Sequence, residues 1–494
     1  MGTPRRLLDA QLRAINAGIR GACRRSASRA AFVQVRDSWG DKMRRQLSLA
    51  VVALALTGGV QAQTNEQLKQ MLDQALKTID ELKGRVKTLE DDKAKDKAAA
   101  APAAAASGPA QWGAPVVSAG TRAEDASTPD ADKARLEIYG QVMLDSIYDF
   151  KRMNPSWNAT LRPSQIPVVC PGSPGCGKDG EWIFSVRQSS LGLRSFIPTS
   201  WGLVKTDLSF DLFGSDGSTS IHWLSIWAEL GMFGAGQYYS NFMDIDVFPN
   251  TIDYWGPSGM VFVRNPQLRI TPWSKDGMGV AFALEAPNSA LDTGKISDIS
   301  PDFGAGFEGW NRLPDLTGSF RYDADWGHVK AAGILRQVGY QQTLTPDGNP
   351  SGHKTGYGLN LTGTLKVFGK NQLNGGVVWG KAIASYMNDG GVDLAPSSTL
   401  SAETVQSVGW LAYYNHWWSD QWSSTIGFSQ HMQDNTGGQT ATAFKRGSYG
   451  NLNVLYYPWK NVLTGLEFVW GELEQKDGQS ATDYRLQFST KVTF

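Results

Sequence analysis

The chain ends on Tyr484-Arg485-Leu486-Gln487-Phe488-Ser489-Thr490-Lys491-Val492-Thr493-Phe494, and this stretch limits the folds open to it more than any other. Tyr484, Leu486, Phe488, Thr490, Val492 and Phe494 fall on one face of an extended strand, and Arg485, Gln487, Ser489, Lys491 and Thr493 on the other. Strict period-two alternation over about ten residues is the length and pattern of a transmembrane β-strand, with one face in lipid and one toward a polar lumen. A half-buried strand of a soluble sandwich shares the alternation, so the rest of the chain decides between them.

Similar segments recur from Lys133 onward. Leu136, Ile138, Val142 and Leu144 alternate with Glu137, Tyr139, Gln141 and Asp145; Val204 to Leu212 and Val462 to Trp470 behave alike. Sandwiches rarely place so many charges on a second face while the first stays so apolar. Sixteen such segments can be counted, near 135–148, 182–196, 202–213, 220–230, 232–240, 259–271, 277–286, 316–324, 327–339, 354–368, 371–384, 403–417, 421–432, 447–458, 461–473 and 481–494. Short turns such as Asp323-Ala324-Asp325-Trp326-Gly327 and Pro458-Trp459-Lys460-Asn461 separate some of them. Long irregular connections (149–181, 241–258, 287–315, 341–353, 385–402, 433–446) separate others. One-sided loop lengths and an even strand count are what an antiparallel membrane barrel requires, and sixteen strands leave an aqueous channel. The fold class expected is all-β, a barrel of about sixteen antiparallel strands over 133–494.

The N-terminal part reads as an address and a tether. Met43-Arg44-Arg45, the apolar run Leu47 to Leu56 and Val60-Gln61-Ala62 form the three regions of a signal peptide over 43–62, with cleavage expected after Ala62. Residues 1–42 then read as an extension upstream of the true start. Residues 1–62 hold 11 of the 47 Lys and Arg but 3 of the 47 Asp and Glu, so the remainder is net acidic by 8. That balance is unlike a nucleic-acid binder. Within 63–97, Leu72, Ile79 and Val86 occupy a positions and Leu68, Ala75, Leu82 and Leu89 d positions of a short coiled coil. Residues 98–132, rich in Ala and Pro and then Ser, Gly and Thr, form a flexible linker. The coiled coil is therefore expected in the periplasm. Cys170 and Cys176, in Cys-Pro-Gly-Ser-Pro-Gly-Cys, are expected to close a disulfide in an oxidising envelope compartment.

Signal peptide, coiled coil, Ala/Pro linker and barrel, in that order, resemble the DcaP-like family of trimeric outer-membrane porins. Tyr139-Gly140-Gln141-Val142-Met143-Leu144-Asp145, Arg187-Gln188-Ser189-Ser190-Leu191-Gly192, Gly236-Gln237-Tyr238, Trp255-Gly256-Pro257, Arg264-Asn265-Pro266-Gln267-Leu268-Arg269 and Ala331-Ala332-Gly333-Ile334-Leu335-Arg336 are similar to its motifs. The resemblance covers 64–494. It implies a homotrimer in outer-membrane lipid, passing small organic anions such as dicarboxylates. The terminal Phe494 resembles the signal read by the barrel-assembly machinery.

No catalytic, metal or cofactor signature stands out. His222, His328, His353, His416 and His431 are scattered without zinc-ligand spacing, and no Gly-x-Ser-x-Gly elbow or phosphate-binding loop occurs. Ser429 and His431 share a face, as a membrane-embedded hydrolase would need, but no acidic partner can be assigned. Lumen-facing charge is the better lead. By parity Arg194, Lys205, Arg321, Lys330, Arg336 and Lys366 point inward; Arg264 and Arg269 have opposite parity, and a bulge at Pro266 would turn both inward. Guanidinium groups bind carboxylates through paired hydrogen bonds, so these eight side chains are the candidate substrate contacts. Asp207, Asp211, Asp323 and Glu467 also face inward, which leaves a mixed-charge, weakly selective lumen as the rival. A sugar-selective porin and a mainly structural envelope tether are the other readings. Loops 149–181 and 287–315 are the candidates for the constriction.

Overall fold

A computed structural model describes residues 133–173, 175–287 and 298–494. The extension, signal peptide, coiled coil and linker expected from the sequence lie outside the described residues. The sixteen barrel strands begin with β1 (Arg135–Asp149), β2 (Ser190–Thr199), β3 (Gly202–Phe213), β4 (Thr219–Leu230), β5 (Phe233–Tyr239), β6 (Arg264–Lys275), β7 (Met278–Glu285) and β8 (Asp315–Ala324). They continue with β9 (Gly327–Gln342), β10 (Gly352–Lys366), β11 (Gln372–Lys381), β12 (Gln406–Trp417), β13 (Trp422–Asp434), β14 (Phe444–Trp459), β15 (Val462–Gln475) and β16 (Ser480–Thr493). Each pairs antiparallel with the next. The ring closes where β16 meets β1, from Gln141↔Thr493 to Asp149↔Arg485. Closure leaves no sheet edge, which is the condition for a sheet to cross a bilayer.

Turns of two to five residues join the strands at one rim. At the other rim the connections L1 to L8 span 150–189, 214–218, 240–263, 286–314, 343–351, 382–405, 435–443 and 476–479. By the rule for such barrels the short turns face the periplasm. The alternation read from the last strand is realised in space. Phe488 is 49% exposed on the outer face, whereas its neighbours Gln487 and Ser489 are fully buried inside. Leu136, Ile138, Val142 and Leu144 likewise face out, and Met143 and Asp145 face in. Trp201, Trp326, Trp418 and Trp459 stand exposed near the short turns. Tyr148, Phe150, Trp182 and Tyr484 cluster near the opposite rim. Such paired aromatic belts suit the two bilayer interfaces.

Two strands differ in kind from the expected segments, beyond shifts of a few residues at the ends of others. The segment expected at 182–196 breaks into Glu181–Ser185, paired with the upper half of β1, and β2, paired with its lower half. At the break the Gln188 side chain turns inward and donates to Asp145 Oδ2 and to the carbonyl of Ile252. The strand expected from 259 starts only at Arg264, because Met260, Val261 and Val263 are buried with the loop that precedes it.

A tight approach fixes β5 beside β4. Gly236 sits at φ +119°, and a Cβ there would lie 2.0 Å from the carbonyl oxygen of Ile226. Both the dihedral and the space exclude other residues. Gly236→Val is expected to lose at least about 2 kcal/mol of stability, read as a lower temperature at which the folded, fast-migrating gel band disappears.

Candidate functional site

Loop L3 does not stand above the barrel; it runs inside it. It leaves β5, passes along the inner faces of β7 to β16, and returns to β6. Side-chain amides on β10, β11, β14 and β16 hold its backbone. Asn360 donates to the carbonyl of Phe242 at 2.9 Å, Asn374 to Val247 at 3.2 Å, Asn453 to Asn250 at 2.8 Å and Gln487 to Ile252 at 2.8 Å. Glu467 accepts the backbone N–H groups of Ile252 and Asp253, plus the amides of Asn451 and Asn453. Apolar contacts complete the dock, with Phe242, Met243, Val247 and Met260 against Ala332, Ile334, Val378 and Leu411. Backbone carbonyls buried in a lumen need donors, and amides supply them without adding charge. Of the expected candidates for the constriction, 149–181 does enter the lumen as part of L1, and L3 joins it there. L3 narrows the lumen, L1 packs on it through Trp157, Leu161 and Ile166, and the described part of L4 has a smaller share.

Open space remains between the first residues of L3 and the inner faces of β3 to β9. Lys205, Arg269, Arg321 and Lys330 line one cavity of about 130 Å³ there. Trp227 and Tyr238 lie between them, Glu229, Asp244 and Asp246 share the lining, and the turn at Gly231 and Met232 forms its lower lip. Four of the eight expected residues thus meet. Arg269 donates to Gln267 Oε1 at 3.0 Å and to the Tyr239 carbonyl. No carboxylate lies within ion-pair distance of it among the described residues. Arg321 is more heavily engaged, paired with Asp323 at 2.6 Å and reaching Asp244 and Asp246. Lys330 donates to the carbonyl of Met243 and so ties the cavity wall to L3.

The other four are placed differently. Arg194 lies over the Tyr139 ring at 4.0 Å, with Asp207 at 3.8 Å. Arg264 packs on Tyr239 and Phe262, at the strand end where L3 returns, and donates to the Tyr239 hydroxyl at 2.8 Å. The bulge expected at Pro266 is absent: pairing runs unbroken from Phe233↔Ile270 to Tyr239↔Arg264, and the irregularity falls between Ile270 and Trp273. Arg336 points inward but does not line open space. It is buried between Asp315 at 3.1 Å and Asp393 at 2.8 Å, where it fastens L6 to the wall. Lys366 is exposed at the periplasmic end of β10, away from the cavity.

Parity did not reveal Tyr139, Trp227, Tyr238 and Tyr239, the rings on which Arg194, Arg264 and Arg269 lie. Rings beneath guanidinium groups hold them flat and leave their edges to donate. Asp244, Asp246 and His328 come close enough for a metal trio, but their atoms are occupied. Asp244 accepts from Thr362 and Arg321 and bonds His328, whose other ring nitrogen meets Thr364. Burial pushes the Asp244 carboxyl up, yet His328, Lys330 and Arg321 together hold it well below the usual carboxylate range. Ser429 and His431 are fully buried, and His431 Nδ1 is bound to the carbonyl of Asp389. Neither is open to a substrate.

The sequence matches the family described as DcaP outer membrane protein over residues 117–480. Among solved structures, the outer membrane channel DcaP of Acinetobacter baumannii is similar at 20% identity, with 74% of this chain and 98% of that one aligned and a TM-score of 0.63. That likeness shows the barrel fold. Looser similarity extends to an anion-selective porin from Comamonas acidovorans (10% identity, 73% and 100% coverage, TM-score 0.47). OmpT of Vibrio cholerae stands at a similar remove (11%, 73% and 98%, TM-score 0.43). No curated protein matches the sequence.

Proposed function

The chain belongs to the DcaP outer membrane protein family and is an outer-membrane porin; from that premise we propose that it passes small organic anions, dicarboxylates among them, as a homotrimer. One observation carries the preference: Lys205, Arg269, Arg321 and Lys330 gather around one cavity between the barrel wall and the start of L3. A carboxylate descending this wall meets Arg264 beside Tyr239 and then Arg269 in the cavity toward the periplasm. Guanidinium edges bind carboxylates in pairs, and several partly satisfied donors in a row let a solute move on instead of being trapped. Asp207, Asp244 and Asp246 temper the field, which keeps binding weak enough for release. The porin fold supports a channel, not an enzyme, and the buried state of Ser429 and His431 agrees with that reading. A sugar channel would favour bare aromatic rings along the path, whereas Tyr139, Trp227 and Tyr239 lie under cations.

Purified protein in planar bilayers is expected to insert with conductance steps in threes, and millimolar succinate on the extracellular side to interrupt each step. Maltodextrins are expected to leave the current unchanged. Absence of conductance removes the porin reading, single non-triplet steps remove the trimer, and block by maltodextrin with none by succinate moves the preference to sugars.

A further inference from the structure

Three interior loops meet at one side chain. Arg162 of L1 is 1% exposed and pairs through Nε with Asp389 Oδ1 of L6 at 3.0 Å, its partner being fully buried. Its guanidinium carbon lies 4.1 Å from the centre of the Trp157 ring of L1 and 3.9 Å from that of the Trp255 ring of L3, and the two rings stand edge to face 5.1 Å apart. Ser164 closes the same carboxylate from L1, donating from both its N–H and its hydroxyl at 2.7 Å. Trp255 donates in turn to the carbonyl of Asn388 at 2.9 Å, and Asn388 donates back to the carbonyls of Trp255 and Pro257.

We propose that Arg162 is the positioning residue that sets the width and selectivity of the extracellular mouth, by clipping L1, L3 and L6 together over the wall of β13 to β15. The proposal rests on the porin reading. A broad guanidinium reaches the corner between two edge-to-face indole rings and a carboxylate at once; the compact point charge of a lysine satisfies the carboxylate alone. Buried ion pairs add little net stability over apolar residues of the same volume. The gain from this one is geometric: it decides where three long loops lie. Behind the clip, Leu161 and Ile166 pack with Tyr449, Val469 and Leu473, filling the lumen on that side. A solute entering from outside is thereby sent to the opposite wall, where the lumen cations stand. Without the clip L1 and L6 are free to lift, and a second route opens beside Tyr449, Val469 and Leu473, where Arg485 is already paired with Asp149 and Asp483.

The test compares wild type, Arg162→Ala, Arg162→Lys and Asp389→Asn as full-length protein in planar bilayers, each first shown to be a folded barrel by its heat-shifted gel mobility. Single-channel conductance and the zero-current potential in a KCl gradient are read together. Arg162→Ala is expected to raise conductance at least about twofold and to shrink the anion preference, as a wider and less charged route opens. Asp389→Asn should shift both in the same direction, and Arg162→Lys should fall between wild type and Arg162→Ala. If Arg162→Ala fails to fold, Asp389→Asn decides alone. Folded variants with wild-type conductance and potential would overturn the clip while leaving the porin reading intact. A wild type that never conducts removes both.

Discussion

Arg336→Met is expected to lower barrel stability by about 3–5 kcal/mol, more than any other change at the eight lumen cations. The guanidinium is wholly enclosed. It faces Asp315 and Asp393, donates to the Ser385 hydroxyl at 2.7 Å, and also donates to the carbonyls of Ala382 and Pro287. Methionine fills much of the volume, so packing is not what is lost. Two buried carboxylates are instead left facing each other without a counter-charge, and the two carbonyls lose their donor. The temperature at which the folded gel band disappears should drop sharply. Replacing all three groups, Arg336→Met with Asp315→Asn and Asp393→Asn, should recover most of the loss, because the cost comes from unpaired charge. A triple variant no better than the single one would point to packing instead.

Exchanging two cations for acids should reverse the channel's ionic preference. Lys205→Glu with Arg269→Glu moves the cavity by four charge units while leaving L3 attached, since neither side chain belongs to the amide dock. Arg321 and Lys330 remain, but Asp244, Asp246 and Asp323 already surround Arg321. The field at the narrow part of the path is then dominated by acids. Inside a low-dielectric wall such a change is weakly screened, so the ratio of chloride to potassium permeability is expected to fall by about tenfold or more. Succinate block should vanish in the same variant, with total conductance in KCl nearly kept.

Much of this architecture was legible in the chain because a membrane barrel writes its two environments into alternate residues. Tyr484 to Phe494 could be assigned to lipid and lumen one residue at a time, and the burial of Gln487 beside the exposure of Phe488 follows directly. What parity cannot supply is depth. It places Arg336 and Arg269 on the same inner surface, yet L6 covers one and leaves the other beside open space. Nor does loop length say which loop folds inward. L3 is one of several long connections, and length alone favours 149–181 and 287–315. Two signals could have marked it: Phe242, Met243, Ile245, Val247 and Phe248 are too apolar for a solvated loop, and Asn360, Asn374, Asn415 and Asn453 place amides on inner faces. Those amides look like ordinary pore polarity until a buried backbone is seen to need donors. Of the Arg162 clip only Trp157 is near in sequence, since Trp255 and Asp389 lie 93 and 227 positions away.

The basic wall as the route for solute is the central claim, and the zero-current potential of the wild-type channel across a tenfold KCl gradient tests it most directly. A path lined by Lys205, Arg269, Arg321 and Lys330 predicts a potential of the sign set by chloride, reversed in Lys205→Glu with Arg269→Glu. A wild-type potential of the sign set by potassium, or one that the double variant leaves unmoved, would contradict it.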